Sequence, residues 1–228
     1  MSAFDLPKRA MFAIGINVAL AMTAFAQSDP TTATASDAPP PAQMDAEALA
    51  KQLTNPVAAL ISVPFQLNYD DGIGPVDAGE RWLLNIQPVV PISIGENWNL
   101  ISRTILPVVW QDDIYPGAGH QSGLGDVVQS LFLSPKLPTA SGWILGVGPV
   151  FLLPTGSDEL LTGDKWGAGP TGVALKQQGP WTYGALVNHI WSFAGSDDRQ
   201  DVSTSFLQPF LSYTTPQAWT FTLQTEST

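Results

Sequence analysis

Few residues in this chain have the types and spacing that chemistry demands. Among 228 residues there is no cysteine, and the only histidines are His120 and His189. Without cysteine there is no disulfide, no thiolate metal site and no thiol nucleophile. Two histidines leave little for a histidine-based metal centre. His120, Ser122 and Asp126 form the one tight grouping of base, nucleophile and carboxylate. A triad is defined by geometry rather than by sequence proximity, and the G-x-S-x-G turn that presents an activated serine is missing. No catalytic residue is therefore assigned. Gly123 and Gly125 around Leu124 match half of a nucleotide-loop pattern. No helix follows them, so they are read as strand-entry glycines.

Acidic residues gather in turn-rich segments: Asp70, Asp71, Asp77, Asp112, Asp113, Asp158, Glu159, Asp197, Asp198 and Asp201, with Arg199 their only basic neighbour. Such a rim could hold divalent cations and bridge to lipopolysaccharide. No segment has the D-x-[DN]-x-[DN]-G spacing of a calcium loop, so the simpler reading is solvated surface loops. No metal site and no cofactor are assigned. Lys and Arg number 9 against 20 Asp and Glu, a net charge of −11. With no basic cluster, a nucleic-acid partner is disfavoured.

The elements that must carry these residues are strands. Nine are predicted: Val57–Tyr69, Glu80–Ile94, Asn97–Trp110, Gly123–Ser134, Ser141–Leu153, Asp164–Lys176, Gly179–Phe193, Val202–Thr214 and Gln217–Thr225. Their connections alternate in length. Asp70–Gly79, Gln111–Ser122, Pro154–Gly163 and Ala194–Asp201 are long. Gly95-Glu96, Pro135–Ala140, Gln177-Gln178 and Thr215-Pro216 are short. Outer-membrane barrels alternate in this way, with short turns on the periplasmic side and long loops outside. The expected fold is therefore all-β, an antiparallel transmembrane β-barrel.

Side-chain alternation fits that wall. Leu67 and Tyr69 oppose Gln66 and Asn68, and Trp219, Phe221 and Leu223 oppose Thr220, Thr222 and Gln224. Lipid outside and a polar interior require this pattern, although a half-buried soluble sheet shares it. The tryptophans discriminate further. Trp82, Trp110, Trp166 and Trp191 lie beside long loops; Trp98, Trp143, Trp181 and Trp219 lie beside short turns. Indole favours the headgroup level, so two aromatic girdles are expected. Arg103, the one clear basic residue in mid-strand, would cost ~2–4 kcal/mol on lipid and is assigned inward. The candidate lumen residues are Asn85, Gln87, Arg103, Asp126, Asn188, Thr220, Thr222 and Gln224.

Three features fit less well. Ser102 and Thr104 have lipid-facing parity. Phe206 and Phe210 lie opposite Leu207, Leu211 and Tyr213, which implies an apolar lumen patch or contact with another segment. Prolines at 64, 88, 91, 107, 149, 170 and 209 sit within strands although they lack a donor, so bulges or missing ladder bonds are expected.

The N-terminus reads as an export signal. Lys8 and Arg9 precede the apolar stretch Ala10–Ala24, and cleavage is expected after Ala26. Residues 27–44, rich in Pro, Ala and Thr, form a flexible tether. Asp45–Leu53 suits a short periplasmic helix capped by Asp45, ended by Asn55-Pro56. Residues 57–228 form the barrel. Because the sequence stops at Thr228 without a terminal aromatic strand, and nine is an odd count, it is expected to be a piece lacking at least one strand and in better accord with about three.

Three stretches, Ala46–Pro75, Ser122–Lys136 and Trp166–Gly195, resemble the bacterial family described as "MetA-pathway of phenol degradation", often labelled transporter or mislabelled neuromedin U. The resemblance implies an outer-membrane barrel that passes small hydrophobic or aromatic compounds. It implies no catalytic residue. The leading expectation is a passive outer-membrane channel and not an enzyme. Its partners would be outer-membrane lipid, lipopolysaccharide, the barrel-assembly machinery and a small solute. A barrel filled by side chains, serving as a structural or surface-binding protein, is the first alternative. A secreted carbohydrate-binding β-sandwich is the second.

Overall fold

The computed structural model describes residues 16–20 and 46–227. The cleavage site after Ala26, the tether and the Asp45 cap lie outside the described residues. In chain order the elements are β1 (Ile16–Leu20), α1 (Ala46–Leu53), β2 (Val63–Ile73), β3 (Gly79–Ile86), β4 (Val89–Ile94), β5 (Trp98–Asp112), β6 (His120–Leu124), β7 (Val127–Pro135), β8 (Trp143–Leu153), β9 (Lys165–Gln178), β10 (Trp181–Gly195), β11 (Ser203–Thr214) and β12 (Thr220–Gln224). β1 falls within the stretch read as the signal. It pairs antiparallel with β2, from Ile16 opposite Leu67 to Leu20 opposite Val63.

The strands form one antiparallel meander in the order β1-β2-β3-β5-β7-β8-β9-β10-β11-β12. The sheet curls into a half-barrel. Two of the nine predicted strands are each broken in two, and both pairs of halves flank the long β5: β3 and β4 on one side, β6 and β7 on the other. The first break is at Gln87-Pro88, where proline removes a donor. The second is at Gly125-Asp126, opposite Pro107, whose carbonyl accepts from the Gly125 N–H at 2.9 Å. The short β9–β10 turn is Gly179-Pro180 rather than Gln177-Gln178. Gly179 takes φ +56°, which a residue with a Cβ rarely adopts, and so the turn settles there.

Proline produces missing rungs elsewhere in the wall. Pro149 and Pro170 face each other across β8 and β9, whose ten pairs run unbroken from Trp143–Lys176 to Leu152–Gly167. The ladder between β7 and β8 skips from Ser130–Val150 to Leu133–Val147. That between β9 and β10 skips from Asn188–Thr171 to Trp191–Ala168. Each gap falls where a proline has no N–H to give. Glycine precedes each proline, and neighbouring backbone closes in on it. A Cβ on Gly148 would clash with the Leu131 carbonyl oxygen, and one on Gly169 with that of His189.

The first predicted strand begins late. Asn55 forms a turn: its side-chain oxygen accepts the Val57 N–H at 2.9 Å, and its carbonyl accepts the Ala58 N–H at 3.1 Å. An Asx turn of this kind competes with strand pairing. Residues 57 and 58 therefore leave the wall and turn into the curl, where both are buried.

Candidate functional site

The two faces of the sheet have opposite character. On the convex face Leu67, Tyr69, Ile92, Leu145, Val147, Val187, Leu207 and Phe221 are exposed, as are seven tryptophans, from 36% at Trp143 to 52% at Trp191; Trp219, 71% exposed, lies in the β11–β12 turn. Among described residues, fourteen polar or charged residues are buried against eleven apolar ones. A soluble half-buried sheet does the reverse.

The aromatic residues sit in two levels. At the long-loop end, Tyr69, Trp82 and Trp110 stand side by side on neighbouring strands, with Tyr69 and Trp82 ring centres 4.7 Å apart. At the short-turn end, Trp143 meets Tyr183 edge-on at 6.1 Å, and Trp181 meets Tyr213 at 4.8 Å. Trp219 also borders the interior cavity.

Ser102 and Thr104 do share the convex face, and Gln129 of β7 satisfies them. Thr104 donates to the Gln129 side-chain oxygen at 2.6 Å, and the Gln129 amide donates to Ser102 Oγ at 3.1 Å. The same amide reaches the carbonyls of Arg103 and Ser130. A polar group that would be costly against lipid is thus closed upon itself.

Arg103 projects from mid-β5 onto the concave face. Its Nη2 donates to Gln87 Oε1 at 2.7 Å, Gln87 Nε2 to Gln66 Oε1 at 2.8 Å, and Gln66 Nε2 to Asn68 Oδ1 at 3.2 Å. Gln87 and Gln66 each accept on one side and donate on the other, so the relay runs one way from the guanidinium to the Asn68 oxygen. Alternation places Gln66, Gln87 and Arg103 inward on three adjacent segments, and the register Gln66–Asn85–Pro107 brings those segments together.

Beside this relay lies a cavity of about 570 Å³. One wall is Ser62, Gln66, Gln87, Val89 and Arg103; the opposite wall is Gln208, Phe210, Ser212, Thr220, Thr222 and Gln224. Leu53, Thr54 and Pro56 close its floor. Five predicted lumen residues thus meet in one place: Gln87, Arg103, Thr220, Thr222 and Gln224. Asn85 shares the inward parity of Gln66 but does not line the cavity. Asn188 is half-buried between Leu186 and Ile190, away from it. Asp126 is not free in the interior. Its carboxylate accepts from Gly156 N at 3.0 Å, Thr162 Oγ1 at 2.7 Å and Gly163 N at 2.7 Å. The break at Gly125-Asp126 opens the ladder, and the β8–β9 loop fills it. Ser157 Oγ accepts the Leu124 N–H at 2.9 Å and Thr155 Oγ1 accepts that of Val127 at 3.0 Å.

The floor of the cavity is an internal plug. α1 and the turn after it enter the curl at the short-turn end. Gln177 Nε2 donates to the Lys51 carbonyl at 2.8 Å, and Thr54 Oγ1 donates to Thr182 Oγ1 at 3.1 Å. Val57 packs among Val89, Ile101, Phe132, Val173, Leu175 and Leu186, with Phe206 and Phe210 against the cluster. An apolar patch of six strand residues inside the curl, joined by Val57 of the plug, thus explains why Phe206 and Phe210 point inward. Hydropathy alternation flags Gln66 and Ser212 as inward polar residues, whereas nothing local in the sequence marks α1 as the lid of this space.

The acidic loops are partly paired. Arg81 donates to Asp70 at 2.8 Å, His120 Nδ1 meets Asp112 Oδ1 at 2.9 Å, and Lys165 reaches Asp201 at 3.0 Å. His120, Ser122 and Asp126 take separate partners and do not assemble: His120 meets Asp112, Ser122 stands opposite Trp110, and Asp126 holds the loop. His189 lies on the convex face, with Nδ1 2.7 Å from Ser205 Oγ and its ring 4.1 Å from that of Trp191. No group of three or more metal-ligating side chains occurs among the described residues.

No protein-family model, no curated protein and no solved structure matches this chain.

Proposed function

We propose that the chain forms the wall of a bacterial outer-membrane β-barrel, exported by its N-terminal signal, that passes small solutes around an internal plug. The inverted burial of the sheet carries this reading: large apolar and indole side chains outside, and a buried set in which polar side chains outnumber apolar ones. Lipid rewards that arrangement, whereas water on the convex face would not. The two aromatic levels fit the two headgroup regions. The resemblance to the phenol-degradation family is consistent with the same reading and suggests small apolar or aromatic solutes. A barrel sealed by its own side chains is the second reading, favoured by the apolar cluster around Val57. A secreted sandwich lacks support, since among the described residues the strands form one sheet with no second sheet facing it.

Fractionation of cells expressing the full gene, with gel mobility compared before and after boiling, tests the barrel. An outer-membrane band whose mobility shifts on heating is expected; soluble periplasmic recovery with no shift would refute it. Planar-bilayer conductance tests the pore, and its absence from a folded barrel would favour the sealed alternative. With conductance in hand, Arg103→Glu is expected to move the reversal potential toward cation selectivity.

A further inference from the structure

We propose that the cavity headed by Arg103 is a binding site for a small solute with a carboxylate at one end and an apolar body. This rests on the reading of the interior as a solute path. Arg103 donates one hydrogen bond, to Gln87, and forms no ion pair with any described carboxylate. A guanidinium carries five N–H donors in a planar fork, so the relay leaves most of them for a ligand. Glu226 acts on Arg103 at longer range and is itself engaged by Gln208 Nε2 at 2.8 Å. Its charge offsets part of the attraction for an anion without occupying the fork.

The cavity lining is of two kinds. Amides and hydroxyls, Gln66, Gln87, Ser62 and Gln208, include the partners of the Arg103 relay. Leu53, Pro56, Phe210 and Trp219, with Val89 opposite Arg103 in register, supply apolar surface. A planar bidentate acceptor matches the fork better than a single-point anion does, and the apolar wall selects a carbon chain or ring behind it. The relay through Gln87 and Gln66 holds the guanidinium in place, so little order has to be acquired on binding.

The test uses three probes of one shape, hexanoate, hexanamide and hexylammonium. Each is titrated calorimetrically into the purified protein in lipid nanodiscs. Hexanoate is expected to bind about tenfold or more tightly than hexanamide, the value of one charge-assisted hydrogen bond. Hexylammonium should bind weakest. Arg103→Gln should erase the difference between hexanoate and hexanamide. Gln87→Glu places a competing carboxylate on the fork and should also abolish the preference, with Arg103 itself intact. Both variants are checked for the heat-dependent mobility shift, so that misfolding is not read as lost binding. Equal binding of hexanoate and hexanamide, or no binding by folded protein, overturns the site. Carboxylate-selective binding without bilayer conductance keeps the site and removes the pore; conductance without carboxylate preference does the reverse.

Discussion

Replacing Val57 tests whether the plug is held by packing. Val57 is 4% exposed and sits among Ile101, Phe132 and Leu175, each 0% exposed. Burying one valine contributes about 2 kcal/mol. The hydrogen bonds from Gln177 to Lys51 and from Thr54 to Thr182 add about 1 kcal/mol each. These three contacts together contribute about 4 kcal/mol to docking, close to a thousandfold in the ratio of docked to undocked segment. Val57→Ala removes two methyl groups, about 1.6 kcal/mol or roughly 15-fold. Val57→Asp removes the same packing and would strand a carboxylate, at several kcal/mol, among apolar side chains. The segment should then leave while the wall, whose ladders do not depend on it, remains. The chain has no cysteine, so Ala58→Cys supplies a single thiol reporter beside Val57, at a position 6% exposed. Maleimide labelling of that thiol should be slow with Val57 in place, about 15-fold faster with Val57→Ala, and near the unprotected rate with Val57→Asp. Conductance should rise in the same order. Unchanged labelling in a folded Val57→Asp protein would refute the packing account.

Three further outcomes are expected. Gly169→Ala or Gly148→Ala forces backbone apart at a proline rung and should reduce the heat-shifted band, whereas Gly172→Ala, whose Cβ would meet nothing closer than 3.8 Å, should leave it unchanged. Asp126→Ala removes three anchors of the β8–β9 loop, about 1 kcal/mol each or more, and should admit protease cleavage within Pro154–Gly163 while the wall stays intact. The Lys165 ammonium, hydrogen-bonded to Asp201, holds that carboxyl below the ordinary carboxylate range. A depressed carboxyl contributes stability that is complete above its unfolded value and disappears as pH falls through its folded value. Loop 196–202 should therefore loosen only below the ordinary carboxylate range, and Lys165→Met should move that loosening up to it, read by amide hydrogen exchange across the titration.

Much of the wall was legible because period two is a strong signal. The inward position of Arg103 and the exposure of the tryptophans follow from residue type and spacing, whereas the strict alternation of loop lengths does not hold: the connection 136–142 is as long as 113–119, and 215–219 is as long as 74–78. What was not legible depends on partners distant in sequence. Ser102 and Thr104 look misplaced until the register brings Gln129 across from them. Asp126 has the parity of a lumen residue, but the break beside it admits a loop some thirty residues away. Phe206 and Phe210 spoil the pattern of β11 until the interior apolar cluster of Val57, Ile101, Phe132 and Leu175 is placed beside them. The break at Pro88 was visible as a proline, yet whether a strand ends there or merely loses one bond is decided by its neighbours.

The facing pair Pro149 and Pro170 has a consequence for assembly. The β8–β9 hairpin is fully laddered within itself and incompletely laddered to the strands on both flanks. Its contacts are local, so it can close on the microsecond scale of isolated hairpins. The glycines before each proline then let it swing close against its neighbours along two seams. It behaves as a stiff stave between two soft joints, and it is along those joints that a growing wall can change its curvature without unzipping.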